Sequence, residues 1–276
     1  MTGTGKFFNA IQIALAKSRL ITLLAIKLRN QCNRIIIERF GIKNMQPELN
    51  GEHLILDNIL PVCDSFFDIG ANKGDWSGYI LSKAKGSNFR IFLYEPGTVA
   101  FNISLSRFKT FDNISVSNLA LSDTIGTLDF YEQENAGELS SAIEKWAYGL
   151  KRKITVNTTT VDSELSRLNI ENLDYVKIDT EGFDLKVIKG AIDSIIHNKI
   201  GFIQFEYNNA WAVLGATLLD AYEILEQNGY SVFLIKPDGI YNYKVREYGE
   251  FYAFSNFIAI TQQNLIHVKG ITKGLA

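Results

Sequence analysis

The sequence predicts an α/β fold, a doubly wound and mostly parallel sheet with an antiparallel edge and an N-terminal helical extension. From about residue 58 onward, short apolar runs alternate with amphipathic segments, which is typical of strands and helices in a parallel sheet. The first apolar run ends in a glycine-containing turn. The last two apolar runs follow one another with no predicted helix between them, which is typical of an antiparallel edge.

The individual strands follow from the apolar runs. Those assigned to the parallel part of the sheet are Ser65–Ile69, Phe89–Tyr94, Ile114–Leu121, Asp174–Asp179 and Ile200–Tyr207. Two further pairs are predicted to be antiparallel, namely Gly126–Tyr131 with Ile154–Thr158 and, at the edge, Tyr230–Ile235 with Phe251–Ile260. The intervening helices include one with Leu185, Ile188, Ile192 and Ile195 on one face, and a later one over Ala212–Glu226.

Composition limits the class of protein. The 276 residues suffice for one large domain with an appendage, and 46% hydrophobic and 21% charged residues indicate a globular chain. A formal net charge of -2 gives no basic surplus, so we expect no nucleic-acid partner. The two cysteines, Cys32 and Cys63, cannot form a disulfide framework, which indicates a reducing compartment and a cytoplasmic protein.

Residues 1–57 are predicted to form the helical extension, and residues 58–276 the main domain. No acidic residue precedes Glu38, while six basic residues do. The longest uncharged run, Phe7–Ala16, is too short to span a membrane, and the polar Asn9 and Gln12 within it disfavour a signal peptide. We expect these helices to pack on the domain or in a homo-oligomer. The alternative is weak contact of this basic segment with an anionic membrane surface.

The turn after the first strand is the most informative segment. Asp68 lies near the end of the first strand, and Gly70, Ala71, Asn72 and Gly74 follow it. The glycines allow a sharp turn and close approach of a ligand. Asn72 stands where a dinucleotide-binding turn has its second glycine. The segment therefore predicts a cofactor that has a ribose but lacks a pyrophosphate.

An acidic residue at the end of the second strand completes this prediction. Glu95 follows Gly74 by about 21 residues, close to the spacing at which a carboxylate reaches a ribose diol. Together the turn and Glu95 indicate nucleoside-cofactor binding. A nicotinamide-dependent oxidoreductase remains one alternative, although Asn72 speaks against it, and a non-catalytic scaffold that keeps the fold is another.

Motifs in a fixed order give this chain a resemblance to a known family. They are Phe-Asp-Ile-Gly-Ala-Asn-Lys-Gly (67–74), Tyr-Glu-Pro (94–96), Leu-Ala-Leu-Ser-Asp (119–123), Thr-Thr-Val-Asp (159–162), Val-Lys-Ile-Asp-Thr-Glu-Gly-Phe-Asp (176–184) and Val-Ile-Lys-Gly-Ala (187–191). The series resembles the FkbM methyltransferases over residues 60 to 235, with one departure at Asp184, where the family usually has glutamate.

The resemblance implies a Rossmann-like class I methyltransferase fold, with S-adenosyl-L-methionine as methyl donor. It also implies O-methylation of a sugar, a glycan or a related natural product. On this basis the cofactor site comprises Asp68, Gly70, Ala71, Asn72, Gly74 and Glu95, with Ala120, Leu121 and Ser122 beside the adenine.

Three carboxylates after the fourth and fifth strands are the candidate catalytic residues. Asp179, Glu181 and Glu206 should lie beyond the carboxyl ends of parallel strands, where an acceptor hydroxyl would meet the methyl donor. Asp179 is the preferred general base because burial would raise the pKa of its carboxyl group. Lys177 is predicted to pair with one of these carboxylates. No metal ligand set is assigned, although a divalent ion on Asp179 and Glu206 is an alternative.

Overall fold

The computed structural model describes residues 3–84, 88–133, 140–146 and 151–276 of the chain. It divides into two units, residues 1–41 and residues 42–276. The first unit contains two helices, α1 (Gly3–Ala16) and α2 (Arg19–Phe40). No residue of α2 is buried. Within the described ranges, no helix combines the length and the apolarity that crossing a membrane requires.

The second unit begins earlier than the boundary predicted after residue 57. It includes the short helices α3 (Pro47–Asn50) and α4 (Glu52–Ile59). Ile55, Leu56 and Ile59 of α4 are fully buried in the core of this unit. Their burial gives segment 42–57 a structural role within the domain, because these apolar side chains pack with the sheet.

Twelve strands lie in the described residues. They are β1 (Ser65–Ile69), β2 (Arg90–Tyr94), β3 (Ile114–Ser117), β4 (Ala120–Leu121), β5 (Gly126–Gln133), β6 (Lys151–Thr159), β7 (Leu173–Ile178), β8 (Ile200–Tyr207), β9 (Tyr230–Lys236), β10 (Gly239–Asn242), β11 (Ser255–Thr261) and β12 (Thr272–Leu275). The remaining helices are α5 (Asp75–Lys83), α6 (Thr98–Phe108), α7 (Val161–Arg167), α8 (Asp184–Lys189), α9 (Ile192–Ile196), α10 (Ala210–Val213), α11 (Leu218–Gln227), α12 (Val245–Tyr248) and α13 (Leu265–Val268).

Nine strands form the main sheet in the order β12-β10-β9-β11-β8-β7-β1-β2-β3. Strands β8, β7, β1, β2 and β3 are parallel, while β11 runs antiparallel to both of its neighbours, β8 and β9. The chain proceeds outward from β1 to β3 and later returns to place β7 beside β1. Such a switch point opens a crevice beyond the carboxyl ends of the strands, which is where ligands bind in open α/β sheets.

Helices cover both faces of the main sheet. On one face, Trp76 of α5 packs against Phe66 and Tyr175. On the opposite face, Tyr222 of α11 packs edge-on against Phe257 of β11. The predicted doubly wound sheet with an antiparallel edge is therefore confirmed.

Three predicted elements are each divided into two shorter ones in the structure. A hydrogen-bonding side chain or a glycine lies at each division. The predicted strand 114–121 divides after Ser117, where the Asn118 amide donates to the carbonyl oxygens of Glu95 and Pro96. The predicted helix 212–226 divides into α10 and α11 around Gly215, which has a φ of 68°. The helix predicted through residues 185–195 likewise divides, into α8 and α9.

The end of the chain also differs from the prediction. Strands β9 and β11 are antiparallel neighbours, as predicted. However, β10 and the short α12 come between them along the chain, and α13 and β12 follow β11. The added strands extend the edge of the sheet, because β10 pairs with β9 and β12 pairs with β10.

The second sheet has the order β4-β6-β5 and confirms the predicted antiparallel pair. Strands β5 and β6 pair from Gly126 with Thr158 to Gln133 with Lys151. The segment that joins these two strands lies partly outside the described residues. Through β4, this small sheet brings Ala120 and Leu121 to the cavity described next.

Candidate active site

A cavity of about 510 Å³ opens where β1, β2, β7 and β8 end. Most of the residues predicted from the sequence line it. Those that do are Gly70, Ala71, Asn72, Glu95, Ala120, Leu121, Asp179, Glu181 and Glu206. Asp68, Gly74 and Ser122 lie behind the lining.

The glycine turn brings β1 and β7 into close contact at the cavity. The Asp179 N–H donates to the Ile69 carbonyl oxygen at 2.9 Å. Gly70 has a φ of 78°, and a Cβ at this position would overlap the Asp179 carbonyl oxygen. Glycine is therefore required here both for its positive φ and for the close approach of the two backbone segments that follow β1 and β7. Gly74, with a φ of 76°, instead packs under Phe108, so its role is in forming the turn.

Glu95 connects the end of β2 to this turn. Its Oε2 accepts from the Asn72 backbone N–H at 2.8 Å, and its Oε1 accepts from the Gly97 N–H at 2.7 Å. A carboxylate has about four acceptor positions, so each oxygen can accept one more hydrogen bond from a diol. Burial raises the pKa of Glu95 to about 7, against the two backbone hydrogen bonds that lower it.

Several buried polar atoms near the turn have no partner among the described residues. They are Asp68 Oδ1, Asn72 Oδ1 and Trp76 Nε1. Asn72 and Trp76 line the cavity. Buried polar groups are nearly always hydrogen-bonded, so unpartnered atoms beside a cavity fit a polar ligand. The donor and acceptors available here fit the polar groups of a nucleoside cofactor with an amino-acid side arm.

Asp68 has a structural contact as well. Its Oδ2 accepts from the Ser77 hydroxyl at 2.6 Å, which ties the end of β1 to α5. The side chain is fully buried, and this burial raises the pKa of Asp68.

Apolar side chains line the part of the cavity predicted for adenine and form an apolar wall there. Besides Ala120 and Leu121, it is formed by Leu128, Phe130 and Ala142. Ser122 is buried behind this wall, where its N–H donates to the Thr159 carbonyl oxygen at 2.9 Å. Its hydroxyl donates to Asp123, so its observed contacts are structural.

Asp179 is partly buried, with a side chain that is 36% exposed and lines the cavity. Lys177 Nζ donates to Asp179 Oδ2 at 2.8 Å, which confirms the predicted pairing. Burial disfavours the ammonium form, but the negative charges of Asp179, Glu52 and Asp68 outweigh it and raise the pKa of Lys177. Asp179 therefore lines the cavity with the ammonium group of Lys177 bound to its carboxylate.

Glu181 has a strained backbone that fixes its position. Its φ is 52°, an uncommon conformation for a residue with a Cβ. The Ser141 hydroxyl donates to the Glu181 carbonyl oxygen at 2.9 Å, and Trp146 Nε1 donates to Glu181 Oε2 at 2.9 Å. Ser141 and Trp146, from the segment after β5, thus fix the position of Glu181. Backbone strain beside a cavity is typical of a functional site.

Glu206 is the most buried of the three candidate catalytic residues, at 5% exposure. Burial, followed by the negative charges of Asp179, Glu181 and Asp184, raises its pKa well above the usual range. The Asn208 amide donates to its Oε2 at 2.8 Å. Glu206 is consequently protonated under conditions in which an exposed glutamate would be ionised.

Asp184 ties the loop that carries Asp179 and Glu181 to strand β8, which carries Glu206. Its Oδ2 accepts from the Thr180 hydroxyl and the Gly182 N–H, and its Oδ1 accepts from the Glu206 N–H. Burial raises the pKa of Asp184 to about 7. Aspartate, which stands here where the FkbM methyltransferases usually have glutamate, makes these contacts and does not line the cavity.

One carboxylate oxygen each from Asp179, Glu181 and Glu206 can be grouped within 4.8 Å of one another. Such a cluster can share a proton, because adjacent carboxylates resist simultaneous ionisation. Oxygen atoms at this spacing are also ligands that a divalent cation takes. Both kinds of chemistry are available at the end of the cavity formed by β7 and β8.

Sequence reasoning missed some residues that shape the site. Glu52 of α4 is buried, where it accepts from the amides of Asn50, Gln204 and Asn256. Trp76 also lines the cavity, although the sequence analysis assigns it no role in the site. A helix–strand contact such as that of Glu52, 152 residues from Gln204, leaves no local sequence signal.

Comparison with known proteins identifies the family to which the site residues belong. A family model described as the methyltransferase FkbM domain matches residues 68–232, which is more than half of the chain. This range includes every lining residue predicted from the sequence.

Individual relatives are more distant. Over 156 residues the chain is 26% identical to 2-O-methyltransferase NoeI of Sinorhizobium fredii, covering 51% of this chain and 62% of NoeI. The chain therefore spans less than two thirds of the length of that relative.

Among solved structures, a methyltransferase FkbM from Methylobacillus flagellatus is 15% identical with a TM-score of 0.46, covering 71% of this chain and 43% of that one. Fibrillarin of Aeropyrum pernix, solved with S-adenosyl-L-methionine, is 10% identical with a TM-score of 0.38, covering 78% and 68%. Because both TM-scores are below 0.5, the family assignment rests on the family model.

Proposed function

The chain belongs to the FkbM methyltransferase family, and from this premise we propose that it is an S-adenosylmethionine-dependent O-methyltransferase. Its acceptor in this proposal is a hydroxyl of a sugar, a glycan or a related natural product. The printed name of NoeI, a 2-O-methyltransferase, supports oxygen as the acceptor atom. Family membership argues against a nicotinamide-dependent oxidoreductase.

The observation that carries the proposal is the arrangement of two kinds of residue around one cavity. Glu95 and the unpartnered polar atoms near the glycine turn offer a site for ribose and amino-acid groups. Asp179, Glu181 and Glu206 lie at the β7–β8 side of the same cavity. A methyl donor and an acceptor hydroxyl can therefore be held together, and positioning is the largest requirement of such a displacement.

S-adenosylmethionine supplies an electrophilic methyl group on a sulfonium. In the transfer, the bond from the methyl carbon to the acceptor oxygen forms as the bond from that carbon to sulfur breaks. Asp179 takes the proton that the hydroxyl releases, since its carboxylate faces the cavity and is accessible. Lys177 orients this carboxylate through their hydrogen bond.

The other two acids have different roles in this proposal. Glu206, whose raised pKa favours the neutral form, donates a hydrogen bond that helps to hold the acceptor. Glu181 is held by Ser141 and Trp146 and orients the acceptor beside Asp179. Different environments thus allow adjacent carboxyl groups to act as base and as hydrogen-bond donor.

The charge of the cavity-containing unit supports a small-molecule or glycan acceptor. Residues 1–41 hold seven basic residues and one acidic residue, which leaves 21 basic and 29 acidic residues in 42–276. An acidic unit is a poor partner for the phosphate backbone of a nucleic acid. We place the enzyme in the cytoplasm, for which its two free thiols, Cys32 and Cys63, are the support.

A labelling experiment tests this function. Purified enzyme and S-adenosylmethionine carrying a tritiated methyl group are incubated separately with carbohydrate, small-molecule, nucleic-acid and protein fractions from cells that lack the gene. We expect alkali-stable label in a carbohydrate fraction, and none with the Asp179→Asn variant. Label confined to nucleic acid or protein would contradict the proposed acceptor class.

A further inference from the structure

The N-terminal unit, residues 1–41, has a composition unlike the remainder of the chain. Its seven basic residues are opposed by one acidic residue, Glu38. All seven, from Lys6 to Arg39, are exposed. Positive charge is therefore concentrated in two helices while the unit with the cavity is acidic.

The same two helices expose large apolar side chains. Phe7 and Phe8 of α1 are each 64% exposed, and Leu20, Leu28 and Ile35 of α2 are 67% to 69% exposed. Scattered apolar residues are normal on a surface, but continuous exposure along two helices indicates a surface that something else covers. The covering partner must accept both apolar side chains and positive charge.

A lipid bilayer with anionic headgroups meets both requirements. Apolar side chains can enter the boundary between headgroups and acyl chains, while Lys and Arg extend to the phosphate groups. Along its 22 residues α2 exposes basic side chains, including Lys27, Arg29 and Arg34, as well as apolar ones, so both kinds of contact are available along the helix.

A second copy of this chain fits this surface less well. Pairing two such units would bring fourteen basic residues together with only the two copies of Glu38 to oppose them. Like charges at an interface cost free energy, and lysine is depleted from protein interfaces. Charge complementarity therefore favours an anionic bilayer over self-association.

We propose that residues 1–41 bind the surface of an anionic lipid bilayer and hold the enzyme there. Binding would combine shallow insertion of apolar side chains with attraction of the basic residues to the headgroups. This interaction is independent of the proposed function, because it needs neither the cavity nor its carboxylates. It would place a methyltransferase beside acceptors found at membranes.

The test is co-sedimentation of the full chain with vesicles of phosphatidylcholine alone or of phosphatidylcholine mixed with phosphatidylglycerol. We expect binding to the mixed vesicles, weakened by salt. Each lysine or arginine near an anionic surface contributes about fivefold to affinity. The triple variant Lys27→Gln/Arg29→Gln/Arg34→Gln should therefore bind at least about tenfold more weakly. Leu20→Gln/Leu24→Gln should weaken it without changing net charge.

The matched control is the variant Lys109→Gln/Lys269→Gln/Lys273→Gln, which removes three exposed lysine side chains from the second unit. This variant has the same net charge as the first triple variant and should bind as the wild type does. Equal sedimentation with both kinds of vesicle, or none, would overturn the proposal. So would a concentration-dependent dimer in velocity sedimentation that Leu20→Gln/Leu24→Gln converts to monomer, since a second copy would then cover the surface.

Discussion

The carboxylate of Glu95, at the end of β2, accepts a hydrogen bond from the backbone N–H of Asn72 at 2.8 Å. This bond fixes the glycine turn after β1 to the neighbouring strand. The same carboxylate lines the cavity and retains acceptor capacity toward it. One residue therefore both shapes the turn and is available to a ribose.

Replacing Glu95 with glutamine should weaken binding of S-adenosylhomocysteine by roughly tenfold or more. A hydrogen bond to a charged group contributes about 1.5–3 kcal/mol, and the glutamine NH₂ cannot accept from a hydroxyl or from Asn72. Titration calorimetry measures the change. Glu250→Gln is the control, since Glu250 also accepts from two backbone N–H groups, those of Leu218 and Leu219, away from the cavity. Equal affinity of the Glu95 variant and the wild type would rule out the ribose contact.

Cofactor affinity should also depend on pH through Glu95. Its pKa is raised to about 7, so the carboxylate is ionised above that pH and affinity should fall as pH decreases through it. Stability without cofactor should follow the opposite trend. Because the folded pKa lies above the ordinary value of 4.5, this group's contribution is present below 4.5 and lost as pH rises to about 7. Calorimetric titrations and melting curves over this range should show both trends, reduced in Glu95→Gln. Identical pH profiles for variant and wild type would contradict the assignment.

Two glycines with similar backbone angles should respond differently to alanine. Gly70 and Gly215 have φ values of 78° and 68°, but only at Gly70 would a Cβ overlap backbone, that of Asp179. Gly215→Ala should cost about 1–2 kcal/mol from the left-handed conformation alone. Gly70→Ala should cost considerably more, and should also abolish cofactor binding. Urea unfolding measures the free energy of unfolding of both variants. Equal losses in the two would contradict the close approach of the Gly70 and Asp179 backbones.

Chelation distinguishes a proton-accepting role of the acid cluster from a metal-binding role. If Asp179 acts as a base, turnover should be unchanged after EDTA treatment and after addition of Mg²⁺. Loss of activity with EDTA and its recovery with Mg²⁺ would instead make Asp179, Glu181 and Glu206 ligands. Magnesium titration of the EDTA-treated enzyme, followed by the methyl-transfer assay, gives the answer.

The sequence predicts those parts of the fold and site that depend on local pattern. The parallel strands, the glycine turn and the position of Glu95 at the end of β2 follow from apolar runs and fixed spacing. Lys177 and Asp179 lie two residues apart at the end of β7, so their pairing could also be predicted. Each of these features involves residues in one segment or in adjacent elements of a known topology.

Other features depend on contacts that no local pattern encodes. Gly190 packs against the Ser122 carbonyl oxygen, and here the predicted long helix becomes α8 and α9. Ser122 itself is buried behind the cavity wall by its bond to Thr159. The partial exposure of Asp179 likewise depends on the residues from several elements that line the cavity with it.

The contribution of Asp179 to catalysis can be separated from its structural role. Asp179→Asn leaves the buried Lys177 without its carboxylate partner, so some loss of stability is expected. Asp179→Asn combined with Lys177→Met removes both charges and provides the matched control. Melting curves of the two variants show whether any loss of activity comes from misfolding.

Turnover of Asp179→Asn in the tritiated methyl-transfer assay, with calorimetric affinity for S-adenosylhomocysteine measured on the same sample, tests the proposed chemistry most directly. The proposal predicts that affinity is retained while turnover falls by roughly 10²–10⁴, the usual contribution of a general base. A folded Asp179→Asn enzyme with wild-type turnover would contradict it, and the base would then have to be sought at Glu181 or Glu206.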